Sequence, residues 1–305
     1  MSPDGWGYMA ERNSASHVQL IVNTTSGDVE PLALAAAVEA GGFDGISCSD
    51  HLFRTRAYPH LWVTLAAMAT ATQRITIGSA FANNLLRSPV EFAQASLSMQ
   101  QLSGGRFQAG LGAGWLAREV VGSGLEFPDP ARRARRYREA VTIVRELFDR
   151  RSCVFAGEFY DVDCPAVPVV DVPPPLAVSV GGPWTIRNVA PLADRVELKF
   201  GRSTRGGDLD VAELAAAGRD DLRAMVDQVR AVAPTVPIGA FAMIAVGDGP
   251  EVDRVRTMLG GGLYSEFVGE PARVLENLRS LGELGIDRVQ LTDLVTGSWL
   301  RLAPL

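Results

Sequence analysis

Three short stretches in the first half of the chain combine residue types that could do chemistry, and each follows a brief apolar run. They are Ser49-Asp50-His51, the polar segment 79–84, and Gly110-Leu111-Gly112-Ala113-Gly114-Trp115. An imidazole can give or take a proton near neutral pH, and a neighbouring carboxylate, here Asp50, could orient it. Placement at the ends of successive predicted strands is how a (β/α) barrel assembles a catalytic mouth. The pattern therefore favours an enzyme.

The glycine cluster Gly110-x-Gly112-x-Gly114 lacks the spacing of a dinucleotide-binding fingerprint, which needs two residues before its last glycine. Its glycines would let the backbone approach a flat ligand closely at a strand end, or would make a plain tight turn. His51 has a comparable alternative, because a lone histidine can also be a structural residue with satisfied hydrogen bonds.

Two further candidates lie in the second half of the chain. Gly181-Gly182-Pro183-Trp184 follows a predicted strand and opens a predicted helix, where free N–H groups and the helix dipole favour a phosphate. The same residues also fit a proline-initiated helix after a flexible turn. Lys199 ends another predicted strand and could meet an anionic substrate group, or it could be a surface lysine with its stem along apolar surface.

The elements that must position these residues follow from the apolar pattern. Alternating strands and helices imply a parallel sheet with helices outside, and eight such units favour closure into a TIM-type (β/α)8 barrel. An open doubly wound sheet is the alternative. A small hairpin over 153–162, turned at Ala156-Gly157, is predicted as an insertion after strand 4. The predicted strands are 18–22, 43–48, 74–80, 106–111, 176–180, 195–200, 238–246 and 288–291; the predicted helices are 31–40 (capped by Asp28), 61–72, 89–102, 132–149, one from Pro183, 208–233, 251–259 and 270–284.

Composition limits the class of protein. With 305 residues, 47% of them hydrophobic and 21% charged, the chain suits one globular barrel domain over 17–305 behind a flexible segment 1–16. No apolar run approaches the roughly 18 residues that span a bilayer, and no signal peptide is evident, so a cytoplasmic protein is expected. The net charge of −6 argues against a general nucleic-acid binder. The three cysteines and three histidines form no metal-binding pattern, and no metal is expected.

Taken together, the motifs resemble the bacterial luciferase-like superfamily of flavin- and deazaflavin-dependent oxidoreductases. The resemblance covers about residues 18–292, and the order and spacing of its motifs are more specific than any single one. The residues that carry it are Gly42-Phe43-Asp44-Gly45, Ser49-Asp50-His51-Leu52-Phe53, Arg74-Ile75-Thr76-Ile77-Gly78, Arg87-Ser88-Pro89, Leu102-Ser103-Gly104-Gly105-Arg106-Phe107, Gly112-Ala113-Gly114-Trp115, Tyr137-Arg138-Glu139-Ala140, Gly181-Gly182, Val268-Gly269-Glu270-Pro271 and Gly285-Ile286-Asp287-Arg288-Val289.

The resemblance implies a TIM-type barrel, usually dimeric, with the cofactor in its mouth. It places a non-proline cis peptide at Ala80-Phe81, the cofactor phosphate near 179–182, and a proton-exchanging role on His51. Trp115 replaces an acidic residue of the sugar-phosphate dehydrogenases, which disfavours that substrate class, and Asn83-Asn84 replaces a more usual Thr/Asn-Pro. The implied cofactor-binding set is Ser79, Ala80, Phe81, Asn83, Ala113, Gly114, Trp115, Ser179, Val180, Gly181 and Gly182.

The resemblance leaves two cofactors open. Deazaflavin coenzyme F420 transfers hydride, whereas reduced FMN supports monooxygenation with a separate reductase. The Ser-Asp-His element and the compact, arginine-biased chain look more like the F420 branch, with hydride transfer to or from a small organic substrate. The arginines of 132–138 are expected to form a solvated helix face, or to attract the polyanionic tail of F420. The alternatives are an FMN-dependent monooxygenase and a non-catalytic flavin-binding barrel.

Overall fold

The computed structural model describes residues 17–24, 30–53 and 57–303. Eight parallel strands hydrogen-bond in a closed ring, β1-β2-β3-β5-β8-β9-β10-β12, and β12 returns to β1 through pairs such as Leu20 with Val289. The predicted TIM-type barrel is confirmed, and the doubly wound sheet is wrong. The strands are β1 Gln19–Thr24, β2 Gly45–Cys48, β3 Thr76–Ser79, β4 Ala82–Asn83, β5 Phe107–Gly112, β6 Cys153–Ala156, β7 Asp161–Cys164, β8 Leu176–Val180, β9 Arg195–Leu198, β10 Ile238–Val246, β11 Val268–Gly269 and β12 Arg288–Asp293.

The helices lie between the barrel strands, as predicted. Several begin with proline in the first turn, where its missing N–H costs no hydrogen bond. The α-helices are α1 Pro31–Ala40, α2 Leu61–Thr70, α3 Pro89–Leu102, α4 Ala117–Gly122, α5 Pro130–Arg150, α6 Pro183–Val189, α7 Val211–Ala216, α8 Arg219–Val232, α9 Pro250–Leu259 and α10 Pro271–Arg279. Among the described residues, none of these helices has the length and apolar content to cross a bilayer.

Some predicted boundaries are wrong for identifiable reasons. The single helix predicted over 208–233 is two helices, because extended backbone at Gly218 separates them and Gly218 N donates to Asp221. The hairpin turns over residues 157–160, one residue beyond the predicted turn. Cys153 lies opposite Cys164 in the antiparallel register of the two strands, and this register fixes the turn. Helix α4 was not predicted. The cap of α1 is Glu30, whose carboxylate accepts two backbone N–H groups, while Asp28 and segment 1–16 lie outside the described residues.

The barrel has an apolar outer layer and a polar interior. Outward residues of the strands, such as Ile46, Ile77 and Val178, are fully buried against the helices. Inward positions alternate with them and share a register around the ring. Most of these inward positions carry polar or small residues, with Ile21 and Phe241 as apolar exceptions. The polar and small ones include Gln19, Asn23, Ser47, Gly78, Gln108, Gly110, Ser179, Glu197, Gly239, Arg288, Gln290 and Thr292.

Arg106, just before β5, forms hydrogen bonds that link several chain segments at the base of the barrel. Its guanidinium donates to the carbonyl oxygens of Ala69, Thr72, Ile75 and Ser103 within 2.9–3.1 Å. We expect Arg106→Ala to lower the free energy of unfolding by about 3 kcal/mol, because half-buried carbonyl groups lose charge-assisted partners. Urea denaturation measures this, with Arg74→Ala as the control, since Arg74 is exposed and should change stability by less than about 0.5 kcal/mol. Equal losses in the two variants would contradict the assignment.

Candidate active site

The third barrel strand leaves its partner just before the mouth. Pairing between β3 and β5 ends at Gly78 with Gln108 and resumes through β4 at Ala82 with Leu111. The intervening segment contains a cis peptide between Ala80 and Phe81, at the position that the resemblance implies. Three residues of this segment therefore face two of β5, which is a bulge (here "the bulge", residues 79–81).

The hydroxyl group of Ser79 replaces the backbone hydrogen bonds that are missing between β3 and β5 at the bulge. Its hydroxyl accepts from Gly110 N at 2.9 Å and donates to Gly110 O at 2.8 Å. Ser79 is buried, so this hydroxyl is already engaged in holding β3 to β5. Its predicted contact with a cofactor stays a prediction, and the structure shows a different use for its side chain.

The glycine cluster after β5 makes room for this same segment. A Cβ atom at Gly110 would lie 1.9 Å from Ser79 O, and one at Gly114 would lie 2.4 Å from Asn83 Oδ1. Gly114 also has φ of +79°, which a side chain disfavours. The predicted close approach exists, but its partner is the bulge and the loop after it. Ala113, Gly114 and Trp115 are half-buried beside that loop.

Asp50 holds the segment that follows the bulge, residues 82–87 (here "the loop after the bulge"), and does not orient His51 as predicted. Its Oδ2 accepts from Asn83 N at 2.9 Å and Arg87 Nε at 3.1 Å, and its Oδ1 accepts from Arg87 at 2.8 Å. This bidentate pair is almost fully buried, and the carboxylate raises the pKa of Arg87. Asp50 is therefore directed towards Asn83 and Arg87.

The carboxylate that contacts His51 is Glu119, from the helix that the sequence did not predict. His51 Nδ1 lies 3.2 Å from Glu119 Oε2, while Glu119 Oε1 accepts from Leu52 N. Glu119 is fully buried in the first turn of α4. A carboxylate on Nδ1 selects the tautomer that leaves Nε2 as the basic nitrogen. His51 thus has the partner of a general base, supplied from 68 residues away.

Two aromatic rings surround His51. The Trp115 ring meets it edge-on at 5.9 Å between centroids, and the Tyr58 ring lies at 5.6 Å. The histidine side chain is 15% exposed. An imidazole that is held by a buried carboxylate and flanked by aromatic rings, yet still reaches solvent, fits an acid–base group at the edge of a substrate pocket.

The predicted phosphate-binding segment is placed at the end of β8. Gly181 N and Gly182 N both point at Thr185 Oγ1, at 3.4 and 3.3 Å, so that hydroxyl shares the donors predicted for a phosphate. Ser179 faces the interior, with its N–H donating to Tyr137 at 3.1 Å. Val180 is buried in the outer core, which leaves only its backbone for ligand contact.

Lys199 does not lie on the surface with its stem along an apolar patch. It is half-buried, and its Nζ lies 4.3 Å from the centroid of the Phe241 ring and 5.1 Å from that of Phe81. Because Phe81 belongs to the bulge, Lys199 forms part of the floor of the mouth. An ammonium between two aromatic faces is held by cation–π attraction.

The arginine-rich start of α5 is only partly the solvated face that was expected. Arg133 is buried, donates to Pro128 O and Arg205 O, and stacks 4.2 Å from the Phe127 ring. Arg136 donates to Tyr160 at 3.0 Å, and Tyr160 donates to Asn84 Oδ1, also at 3.0 Å. Arg132, Arg135 and Arg138 are exposed. The run therefore anchors the loop after the bulge as well as forming a basic face.

We expect Gly110→Ala to destabilise the protein strongly, by about 3 kcal/mol or more, because its Cβ atom would overlap a backbone oxygen. Gly182→Ala is the matched control, since a Cβ atom there meets nothing within 4 Å and φ is −142°. Thermal unfolding of both variants measures the difference. A stable Gly110→Ala variant would show that the bulge is not held against β5.

The sequence and the fold of this chain are similar to those of several known proteins. It is 29% identical over 210 residues to an F420-dependent glucose-6-phosphate dehydrogenase of Amycolatopsis mediterranei, covering 67% of this chain and 62% of that relative. Two solved structures share the fold over 94% of this chain. An F420-dependent secondary alcohol dehydrogenase, in complex with an F420-acetone adduct, has a TM-score of 0.72, 18% identity and 96% of its chain covered. A monooxygenase from Streptomyces bottropensis has a TM-score of 0.73, 17% identity and 97% covered. The luciferase-like monooxygenase family model matches residues 27–256, and the chain belongs to that family.

Proposed function

We propose that this protein is an F420-dependent oxidoreductase that transfers hydride between the deazaflavin and a small organic substrate. The observation that carries the proposal is the His51–Glu119 pair placed at the barrel mouth, in a family whose similar members include F420-dependent dehydrogenases. Hydride transfer from an alcohol requires a base for the hydroxyl proton, and this pair supplies one. As part of the same proposal, the protein forms a homodimer, and any reductase that serves its cofactor is a separate protein.

The residues at the mouth fit a flat tricyclic ring with a phosphate-bearing chain. The bulge presents Ala80 and Phe81, the loop after β5 presents half-buried Ala113 and Gly114, and the end of β8 presents glycine backbone. Asn84 also keeps a buried amide nitrogen with no acceptor among the described residues, which suits an acceptor group on a ligand. When bound, the deazaflavin supplies a carbon that accepts or gives hydride.

The roles of the chain's own residues follow from this arrangement. Glu119 holds His51 in one orientation and tautomer, so that Nε2 is free to take the hydroxyl proton of an alcohol or return it to a carbonyl. The Asp50–Arg87 pair holds the loop next to the bulge, which fixes one wall of the pocket. Positioning of this kind supplies much of the rate in a transfer between two bound molecules.

The substrate pocket beside His51 is aromatic on the sides that the structure describes. Trp115 and Tyr58 both contact the imidazole ring. The resemblance to the family also implies that Trp115 replaces an acidic residue of the sugar-phosphate dehydrogenases. This lining favours a small, weakly polar alcohol or carbonyl compound, since aromatic walls bind apolar surface. Selectivity would come from the loops 57–60, 123–129 and 205–210.

A binding and turnover experiment separates the cofactors. The purified protein is titrated with oxidised F420 and with FMN, followed by fluorescence, and then assayed anaerobically with secondary alcohols and ketones. We expect micromolar or tighter binding of F420 and a substrate-dependent change of its absorbance without oxygen. Product formation only with reduced FMN and oxygen would instead establish a monooxygenase. Binding of neither cofactor would establish a non-catalytic barrel.

Replacing the carboxylate behind His51 tests its role. Glu119→Gln keeps the acceptor for Leu52 N but presents an amide N–H to His51 Nδ1, which forces the imidazole proton onto Nε2. We expect kcat to fall by about 100-fold, as in His51→Ala, with F420 affinity and melting temperature nearly unchanged. Unaltered turnover in either variant would exclude this pair as the base. Glu126→Gln, at an exposed carboxylate in the next loop, is the control.

A further inference from the structure

Two cysteines face each other at the open end of the β6–β7 hairpin. Cys153, the first residue of β6, lies in register with Cys164, the last residue of β7. Both thiols are free, and the third cysteine of the chain, Cys48, is on barrel strand β2. Residues directly opposite each other in an antiparallel pair project to the same face of the ribbon. The hairpin therefore brings together two nucleophilic groups that the proposed hydride transfer does not use.

The shared face is the inner face of the hairpin, which packs against the core. Burial alternates along β6, where Cys153 is buried and Val154 is 79% exposed. Along β7, Val162 and Cys164 are half-buried and pack on the core, as Phe155 of β6 does. Both thiols thus lie on the side of the ribbon that is turned away from bulk solvent.

The register also sets the distance between the two cysteines. Gly157 N donates to Tyr160 O at 2.9 Å, so these residues form a hydrogen-bonded pair at the turn. Hydrogen-bonded and non-hydrogen-bonded pairs alternate along an antiparallel ladder, which makes Cys153 and Cys164 a hydrogen-bonded pair as well. The Cα atoms of such a pair are about 5.5 Å apart, and disulfides span about 4.4–6.8 Å between Cα atoms. Their Cβ atoms must approach by roughly 1 Å for a bond to form.

We propose that Cys153 and Cys164 are a reversible oxidation site, at which a peroxide joins the two sulfur atoms in a disulfide bond that closes the hairpin. The bond would link the strands on either side of Tyr160, whose hydroxyl donates to Asn84 in the loop after the bulge. No three His, Cys, Asp or Glu side chains within residues 17–24, 30–53 and 57–303 are placed to hold a metal ion, so the pair is not part of a metal site. This inference does not depend on the F420-dependent reaction.

The two thiols have different surroundings and therefore different roles. Cys164 is half-buried, so an oxidant in solution reaches it first. Cys153 is 2% exposed. Burial raises the pKa of Cys153 to about 11; Glu146 and Cys164 add to the shift, and Arg150 opposes it. Cys153 thus reacts second, with the oxidised Cys164. Its Sγ donates to Glu146 Oε2 at 3.7 Å, so this carboxylate of α5 can take the thiol proton during that step.

The atoms and electrons of the proposed oxidation balance. The Cys164 sulfur attacks one oxygen of hydrogen peroxide, the O–O bond breaks, and a sulfenic acid and one water form. The Cys153 sulfur then attacks the Cys164 sulfur, the S–O bond breaks, and a second water leaves with the proton that Glu146 passes on. Two thiols lose two electrons to one peroxide. Two glutathione molecules reverse the change and leave as glutathione disulfide. The wide Cβ spacing favours this reduction, because a strained disulfide is more easily reduced.

The first test uses the purified full chain and a small molar excess of hydrogen peroxide. We expect its intact mass to fall by about 2 Da, since two thiol hydrogens are lost. The thiols that titrate in the denatured protein should fall from three to one, and glutathione should restore them. Trypsin with a glutamate-specific protease separates the two cysteines into peptides 152–158 and 159–187 unless a disulfide joins them. Sulfinic acid without joined peptides, or a bond to Cys48, overturns the proposal.

Variants test the order of the two thiols. Cys153→Ala should stop at the sulfenic acid of Cys164, which dimedone traps, whereas Cys48→Ala, the control, should form the disulfide at the wild-type rate. Glu146→Gln should slow closure by about tenfold and leave the reaction of Cys164 with peroxide unchanged. Loss of the Cys153 thiol in Cys164→Ala at the wild-type rate overturns the assigned order.

Hydrogen exchange tests whether the bond closes the hairpin. Amides of residues 153–164 should exchange more slowly in oxidised than in reduced wild-type protein, because the cross-link restricts opening of the two strands. Peroxide-treated Cys153→Ala is the matched control and should exchange as the reduced protein does. Equal exchange in the two forms of the wild type overturns the proposed effect on the hairpin. None of these measurements requires turnover of F420, so failure of the proposed function leaves them decisive.

Discussion

The candidate site depends on an interruption in the hydrogen bonding between β3 and β5. Where the backbone ladder stops, the Ser79 hydroxyl supplies both a donor and an acceptor to Gly110, and the chain between Gly78 and Ala82 is pushed into the mouth. The residues around this bulge either leave space for it or hold it in place. Gly110 and Gly114 leave it room, and the buried Asp50–Arg87 pair holds its far side. A buried polar pair is stable here because each oxygen of Asp50 has a donor.

Much of the fold follows from sequence pattern, because strands buried on both sides read as short apolar runs between helical periods. The bounds of α1, α3, β8 and β10 match the predicted ones, and the closed ring follows from the count of eight units. The failures are local. Gly218 divides a helical pattern that looks continuous, since a single glycine with extended backbone gives a weak signal. Helix α4 is six residues long and carries too little periodicity to predict.

The place of the candidate site in the barrel could be predicted from the sequence, but the contacts among its side chains could not. Residues at strand ends were expected to gather at one mouth, and His51, Phe81, Gly114 and Lys199 lie there as elements β2, β3, β5 and β9 require. Which carboxylate meets His51 could not be read from the chain. Asp50 is adjacent in sequence, but it is directed to Arg87, while Glu119 approaches from a separate helix. Adjacent residues of extended backbone point in opposite directions, so neighbourhood along the chain is a poor guide to contact across the mouth.

The hydrogen bond from Tyr160 to Asn84 has a consequence for how this barrel can diversify. Tyr160 lies in the turn of the β6–β7 hairpin, an insertion outside the ring, yet its hydroxyl reaches the loop that follows the bulge while Arg136 holds it from the other side. The hairpin is thereby an outer brace for the mouth. A chimaera that swaps or shortens this insertion would displace Asn83 and Asn84 unless a tyrosine hydroxyl still donates to Asn84. A change in the hairpin would therefore alter the pocket through a single side chain.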